Sequence, residues 1–474
     1  MRFGLPLLLA AVFGLYARYR QEYIGACDWY GYYQESLLFK SGKLFLETEL
    51  PATTYPAQIP LGFSYFQGHI VPQYPPGFPL LLALAGSVGL AFFVPALIGL
   101  ASCLLMYRIV ADLTTRRIGA LFALLWAFSP IVVWGATNLM SDLAATTCLL
   151  AGYYAYRKDR LALATLALGF GIAIRPTNAL LLPLWLIPLV RDRRLWRFAL
   201  WFCVPAAIYG IYNHLVYGAP WRTGYLDISY DLVAEVFPQH LGFYLGQTVA
   251  QLTPLVLLLG LLGLRRLRSE AVFYLLWFAV PVLFYCFWRS GGDRWWWTRF
   301  ILPGLPPLYF LGAAGLHRVP ELLAQRLASS SLRRALYAGL TVVLALLPVY
   351  YVWFGLNQRD LWTKHKGEDY YQIVRQTEAL VPPQSVVGSV EFSGSFRIYT
   401  RLGSFLSVHE NAPTLVAALL QRHRASYLIV EPWNARDPVV QTLLTRFHGA
   451  KVRDFDVWGG VTLYRLSPAA EPSS

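Results

Sequence analysis

The chain has 474 residues, of which 56% are hydrophobic and only 14% charged, and its formal net charge is +14. Soluble domains carry about a quarter charged residues, so this composition excludes an ordinary soluble protein and points to a polytopic membrane protein. The excess of Arg and Lys does not indicate nucleic acid: the basic residues punctuate apolar runs in small clusters and do not gather on one soluble face.

Residues 3–17 form an apolar run after Arg2, followed by the bulky, basic stretch Tyr16-Ala17-Arg18-Tyr19-Arg20. No small-residue cleavage site follows, so the run reads as an uncleaved first membrane helix. Basic clusters recur at Arg108/Arg116/Arg117, Arg157/Lys158/Arg160, Arg191/Arg193/Arg194/Arg197, Arg265/Arg266/Arg268 and Arg318/Arg326/Arg333/Arg334. With those clusters on the cytoplasmic side, the loop at 18–78 is expected to be extracytoplasmic.

That loop holds Asp28 in Cys27-Asp28-Trp29-Tyr30 and ends in Gln73-Tyr74-Pro75-Pro76-Gly77-Phe78-Pro79. Between them, residues 30–39 are amphipathic enough for a short surface helix. The apolar stretch at 78–90 is too short to span comfortably and is expected to be interfacial or re-entrant. Later apolar runs bring the expectation to roughly eleven transmembrane helices, with the C-terminus outside. Two short runs meet at Arg175-Pro176-Thr177-Asn178, where proline must break a helix. An arginine at such a break either faces a wet cavity or merely turns a corner.

After Phe354 the composition changes. Short β-type runs at 385–390, 425–430 and 461–464 alternate with helical patterns at 369–380, 412–423 and 437–447. That order predicts a small α/β domain. The expected division is therefore a membrane domain at 1–354 and a soluble extracytoplasmic α/β domain at 355–474.

Among the residues that could do chemistry, Asp28 comes first. A carboxylate at the outer end of a membrane helix can act as a general base on a hydroxyl acceptor, or can simply be a solvated loop acid. Glu35 lies seven residues on, on the same helix face, lining the same cavity or facing water. Asp142, in Ser141-Asp142-Leu143, suits a helix N-terminus as well as a site. Arg289, Arg294 and Arg299 flank Trp295-Trp296-Trp297; such a loop forms an interfacial belt, or binds an anion through its guanidinium groups. Asn213, Arg222 and Tyr225 bring polar groups to the turn around Gly218 and Pro220. His69, His214 and His240 lack metal-ligand spacing, and the cysteines form no CxxC pair, so no metal site is assigned, while dependence on a divalent cation stays open. Walker, Rossmann, kinase and Gly-x-Ser-x-Gly patterns are absent.

The order of these pieces resembles the GT-C superfamily of polytopic glycosyltransferases, in the branch of the protein O-mannosyltransferases and the aminoarabinose transferases. The resemblance lies in Asp28, in Tyr74-Pro75-Pro76-Gly77-Phe78-Pro79-Leu80-Leu81, in Ser141-Asp142-Leu143, in Arg175-Pro176-Thr177, in Asn213 with Gly218 and Pro220, and in Thr298-Arg299-Phe300-Ile301-Leu302-Pro303-Gly304-Leu305-Pro306-Pro307. It covers residues 1–317. It implies an inverting enzyme of the bacterial cytoplasmic (inner) membrane that takes a sugar from a polyprenyl-phosphate carrier and passes it to a hydroxyl acceptor on the extracytoplasmic face. On this resemblance Asp28 is the base and Asp142 a second acid shaping the site. Arg294 or Arg299 meets the carrier phosphate, and Tyr74, Glu35, Arg175, Asn213 and Arg222 complete the carrier and sugar contacts. Two departures stand out: Trp29 follows Asp28 where the mannosyltransferase branch usually has Glu, and Tyr74 stands where the aminoarabinose branch has Lys. The second means that another residue must meet the phosphate. A transporter or flippase of a lipid-linked or anionic substrate is the rival reading; it calls for internal repeats and midplane acids, neither of which the sequence displays.

Overall fold

The structure is a computed structural model that describes residues 4–48, 50–191, 193–225, 231–357 and 361–468. Two compact units share the chain. The first comprises Met1–Arg20, Phe93–Ile211 and Leu226–Lys364; the second comprises Gln21–Phe92, Tyr212–Tyr225 and His365–Ser474.

The first unit is helical. Among the described residues, five helices are long and apolar enough to cross a membrane: Ala91–Leu113, Leu195–Tyr217, Phe237–Arg266, Arg268–Cys286 and Ser330–Asn357. Two bent pairs raise the number to as many as seven, Arg116–Phe128 with Pro130–Thr137 (65°) and Trp295–Gly304 with Pro306–Arg326 (73°). The sequence predicts roughly eleven spans from apolar runs. The difference lies in short helices such as Gly4–Arg18, Asp142–Arg157, Leu161–Ile174 and Leu182–Arg191, which fall below the length of a full span.

The breaks in these helices have identifiable causes. Arg175 adopts an extended backbone (φ −146°, ψ 101°) immediately before Pro176, as a residue preceding proline should, and ends Leu161–Ile174. Phe237–Arg266 is kinked at Thr253, whose φ of 64° precedes Pro254. Polar groups freed near such breaks need partners when water is scarce. Gln251 supplies several: its side-chain oxygen accepts from the Ser129 hydroxyl and the Ile131 amide, each at 3.2 Å, and its carbonyl accepts from the Tyr351 hydroxyl at 2.5 Å. Phe237–Arg266 also lies so close to Pro306–Arg326 that a Cβ on Gly263 would sit 2.0 Å from the Leu311 carbonyl oxygen. Only glycine permits that approach between helix backbones.

In the second unit, the first loop folds into the helix Cys27–Lys40, the antiparallel hairpin of β1 (Phe63–Phe66) and β2 (His69–Pro72), and the ten-residue helix Gly77–Gly86. The expected surface helix is therefore present and begins at Cys27, which places Asp28 in its first turn. The short helix expected near 78–90 is present as well.

The C-terminal part of this unit is an α/β fold around a five-stranded sheet. Its strands are β3 (Val386–Ser389), β4 (Gly403–Leu406), β5 (Ser426–Val430), β6 (Ala450–Phe455) and β7 (Val461–Leu466), in the order β4-β3-β5-β7-β6. Strands β4, β3 and β5 run parallel, while β7 is antiparallel to β5 and to β6. Alternation along the strands feeds two cores. Val386, Leu428 and Val430 pack with Leu415, Val416, Leu419, Val440 and Leu443, whereas Val387, Tyr427 and Ile429 pack with Ile373, Val374, Phe392 and Phe396. All three β-type runs and all three helical patterns predicted for this region are observed; β4, β6 and the helix Ser393–Tyr399 are additional.

Candidate functional site

Asp28 stands in the first turn of Cys27–Lys40, where a negative charge is favoured by the exposed amides of the helix start. The Tyr74 hydroxyl donates to Asp28 Oδ1 at 2.5 Å, and Cys27 Sγ lies 3.1 Å from the same hydroxyl. Tyr74 reaches Asp28 by lying flat on the helix. Its ring centroid is 4.5 Å from that of Tyr32, and a Cβ on Gly31 would fall 2.3 Å from a Tyr74 ring carbon. Burial, with the Asp28 carboxylate next, pushes the Tyr74 phenol well above its ordinary pKa. Tyr74 therefore keeps its proton and acts as a donor that orients the carboxylate.

A second acid belongs to this neighbourhood and was not foreseen. Glu391 follows the C-terminal end of β3, and burial, then Glu431, then Asp28 push its carboxyl up to about 7. Glu431 is itself fully buried after β5, and its Oε1 accepts from the amides of Val390 and Glu391 at 3.2 Å each. Functional groups at the carboxyl ends of adjacent parallel strands are a general feature of open α/β sheets. The signal lay in the Ser389-Val390-Glu391 stretch at the end of a predicted strand. The ring of Trp29, next to Asp28, meets Tyr370 at 6.2 Å, and Tyr370 meets Phe392 at 5.4 Å, which joins the two acidic segments through packed side chains.

Glu35 is fully buried, which leaves no room for the reading in which it faces water. Its Oε1 accepts from the Tyr212 hydroxyl at 2.7 Å, and burial raises its pKa well above the usual carboxylate range. Asn213 is also buried and donates to the Pro220 carbonyl at 3.1 Å, holding the Gly218–Pro220 turn. Arg222 is exposed, with its guanidinium 5.6 Å from the Phe66 ring of the hairpin. Tyr217 donates to the Pro72 carbonyl at 3.0 Å, so residues 212–225 bind the hairpin next to Tyr74.

In the helical unit Asp142 and Arg175 form a buried ion pair, with the Arg175 guanidinium donating to Asp142 Oδ1. Arg175 Nε donates to the Tyr285 hydroxyl at 3.1 Å, and Thr177 Oγ1 lies 3.0 Å from the same oxygen. Arg299 is 9% exposed and directs its guanidinium at Met140 Sδ (3.0 Å). The Arg175 and Arg299 guanidinium carbons each lie 5.2 Å from the Phe300 ring centroid. Asp142, Arg175 and Arg299 are thereby brought together. Arg294 is not part of that cluster: its side chain is 63% exposed, 3.9 Å from Asp293 and 5.1 Å from the Trp296 ring. Among the described residues no group of three or more His, Cys, Asp or Glu side chains could hold a metal ion.

Residues 75–217 match the family model described as dolichyl-phosphate-mannose-protein mannosyltransferase. Comparison with curated proteins gives no match. Among solved structures, ArnT from Cupriavidus metallidurans bound to undecaprenyl phosphate is similar at 15% identity and a TM-score of 0.61, over 98% of both chains. The archaeal oligosaccharyltransferase AglB from Archaeoglobus fulgidus, in complex with an inhibitory peptide and a dolichol-phosphate, is 11% identical with a TM-score of 0.60, over 98% of this chain and 74% of the other. The arabinofuranosyltransferase AftD from Mycobacteria is 14% identical with a TM-score of 0.59, over 99% of this chain and 40% of the other. The family match over residues 75–217 and the likeness of fold, with the long apolar helices and the C-terminal sheet, give this chain the fold of the GT-C membrane glycosyltransferases.

Proposed function

We propose that the protein is an inverting glycosyltransferase that moves a sugar from a polyprenyl-phosphate carrier to a hydroxyl acceptor at the extracytoplasmic face of the cytoplasmic membrane. The observation that carries this reading is the Tyr74–Asp28 hydrogen bond, which holds a carboxylate at a helix start with its donor kept protonated. The carriers bound to ArnT and AglB, undecaprenyl phosphate and dolichol-phosphate, support a carrier of the same chemistry here.

In this reaction the acceptor hydroxyl gives its proton to Asp28 as its oxygen forms a bond to the anomeric carbon. The bond from that carbon to the carrier phosphate breaks, and its electron pair leaves on the phosphate oxygen. Backside displacement inverts the anomeric centre. The departing phosphate gains negative charge, and Arg299 is the residue assigned to stabilise it, with Arg175 positioned by Asp142 and Tyr285 beside the same Phe300 ring. Preorganised cations act on charge that develops in the transition state, so they lower the barrier without reorganising. Arg294, exposed beside Trp296, is placed outside this step as a contact for the surrounding lipid or carrier.

The test is transfer by the purified protein from a panel of polyprenyl-phosphate sugars, with the anomeric configuration of the product read by NMR. Transfer with inversion is the expected result. Retention of configuration, or release of free sugar without any acceptor product across the panel, would contradict the proposal.

A further inference from the structure

The second unit contains a cavity of about 460 Å³ that none of the chemistry above uses. Gln34, Glu47 and Gln58 of the first loop line it, together with Arg397, Thr400 and Arg401 of the C-terminal α/β region. Two of these side chains are guanidinium groups that have no ion pair among the described residues. Among the described residues the acids nearby are engaged elsewhere: Glu47 is 81% exposed and bound to Lys43 at 3.0 Å, while Glu378 pairs with Arg375 and accepts from the Arg401 backbone amide at 3.0 Å. Arg397 donates to the Gln58 carbonyl at 2.8 Å, yet its buried Nε has no partner. Buried cations are normally paired, so a half-buried arginine with an unsatisfied donor, beside a second arginine and a polar cavity, favours negative charge there.

We propose that this cavity binds an anionic group, a phosphate or carboxylate borne by the sugar acceptor, with Arg397 and Arg401 as the charged contacts and Gln34 as a hydrogen-bonding contact. Guanidinium forks match the paired oxygens of such groups, and a charge-assisted contact is roughly twice as strong as a neutral one. Gln34 places the cavity on the helix that carries Asp28, six residues further on, about 9 Å along the axis and about a third of a turn around it. That placement suits an acceptor in which the reacting hydroxyl and the anionic group sit on separate, linked sugar rings. Anion binding stands on the cavity alone; its assignment to the acceptor rests on the glycosyltransferase reading.

The experiment is calorimetric titration of the purified full-length protein with N-acetylglucosamine 6-phosphate, N-acetylglucosamine and inorganic phosphate at constant ionic strength. The phosphosugar is expected to bind at least about tenfold more tightly than either other probe. Arg401→Glu, at an exposed position that leaves the fold intact, is expected to abolish that preference, while Asp28→Asn and Arg299→Ala retain it. The proposal is overturned if Arg401→Glu binds the phosphosugar as wild type does, or if the unphosphorylated sugar binds equally well. Inorganic phosphate binding as tightly as the phosphosugar would overturn the assignment to the acceptor. Because Asp28→Asn keeps the binding preference, failure of the catalytic reading and failure of this one are separable.

Discussion

Tyr74 holds Asp28 through a short hydrogen bond from a phenol that burial keeps protonated. Tyr74→Phe removes that donor while preserving the ring on Gly31 and Tyr32. Losing a charge-assisted hydrogen bond costs about 1.5–3 kcal/mol, so turnover is expected to fall on the order of tenfold to a hundredfold. The variant should keep its thermal stability within a few degrees. Unchanged turnover, measured with saturating acceptor, would show that Tyr74 does not orient the base. Glu391 gives a stability prediction with a definite sign. Its folded pKa of about 7 lies above its ordinary value of 4.5, so its contribution is fully present below pH 4.5 and is lost as pH rises through 7. The unfolding free energy should therefore decline between pH 5 and pH 8 by on the order of 2 kcal/mol, read as a falling melting temperature, and Glu391→Gln should flatten that decline. A slope that persists undiminished in the variant would assign it to another group. The Asp142–Arg175 pair is buried on both sides, with 4% and 13% of the side chains exposed. Arg175→Ala leaves an uncompensated buried charge and should cost about 3–5 kcal/mol, seen as a large drop in melting temperature.

At the level of elements, helix contact through glycine is the feature most sensitive to change. Gly263 meets backbone atoms of the opposing helix, which cannot swing aside as a side chain can. Gly263→Leu is expected to destabilise the helical unit by more than the 1–3 kcal/mol typical of overpacking, measurable as lost monodispersity in detergent. Much of the element inventory was legible in advance. Apolar runs gave the long helices, proline gave the break at Arg175-Pro176, and alternating β-branched residues gave β3, β5 and β7; the bend before Pro130 falls inside a stretch that reads as one continuous span. The missed elements are those whose local pattern is weak. Strand β6 is almost wholly exposed along Ala450–Phe455, so it lacks the apolar run that marks its neighbours. The four residues of β4 include a Gly and a Ser, and the helix Ser393–Tyr399 is stabilised by packing more than by propensity.

For the molecule as a whole, composition pointed to a membrane protein, and the ordered motifs from Asp28 to Pro307 led to a resemblance whose fold this chain shares. The site was only partly legible. Asp28 with Tyr74, and Asp142 with Arg175, stood among the candidate residues, but their pairing was not visible because the partners lie 46 and 33 positions apart in the chain. Arg294 and Arg299 looked equivalent by spacing; a buried and an exposed arginine in one loop differ only once the loop is folded. Glu391 escaped notice because its significance depends on the strand β3 that precedes it and on its electrostatic coupling to Asp28, more than 360 residues earlier in the chain.

The central claim is that Asp28 accepts the proton of the acceptor hydroxyl. It is tested most directly by comparing wild type with Asp28→Asn in single-turnover transfer from a polyprenyl-phosphate sugar, with carrier binding measured on the same preparations. Loss of a general base is expected to slow transfer by about 10²–10⁴-fold while carrier affinity stays within a few-fold of wild type. Transfer by Asp28→Asn at the wild-type rate would contradict the account.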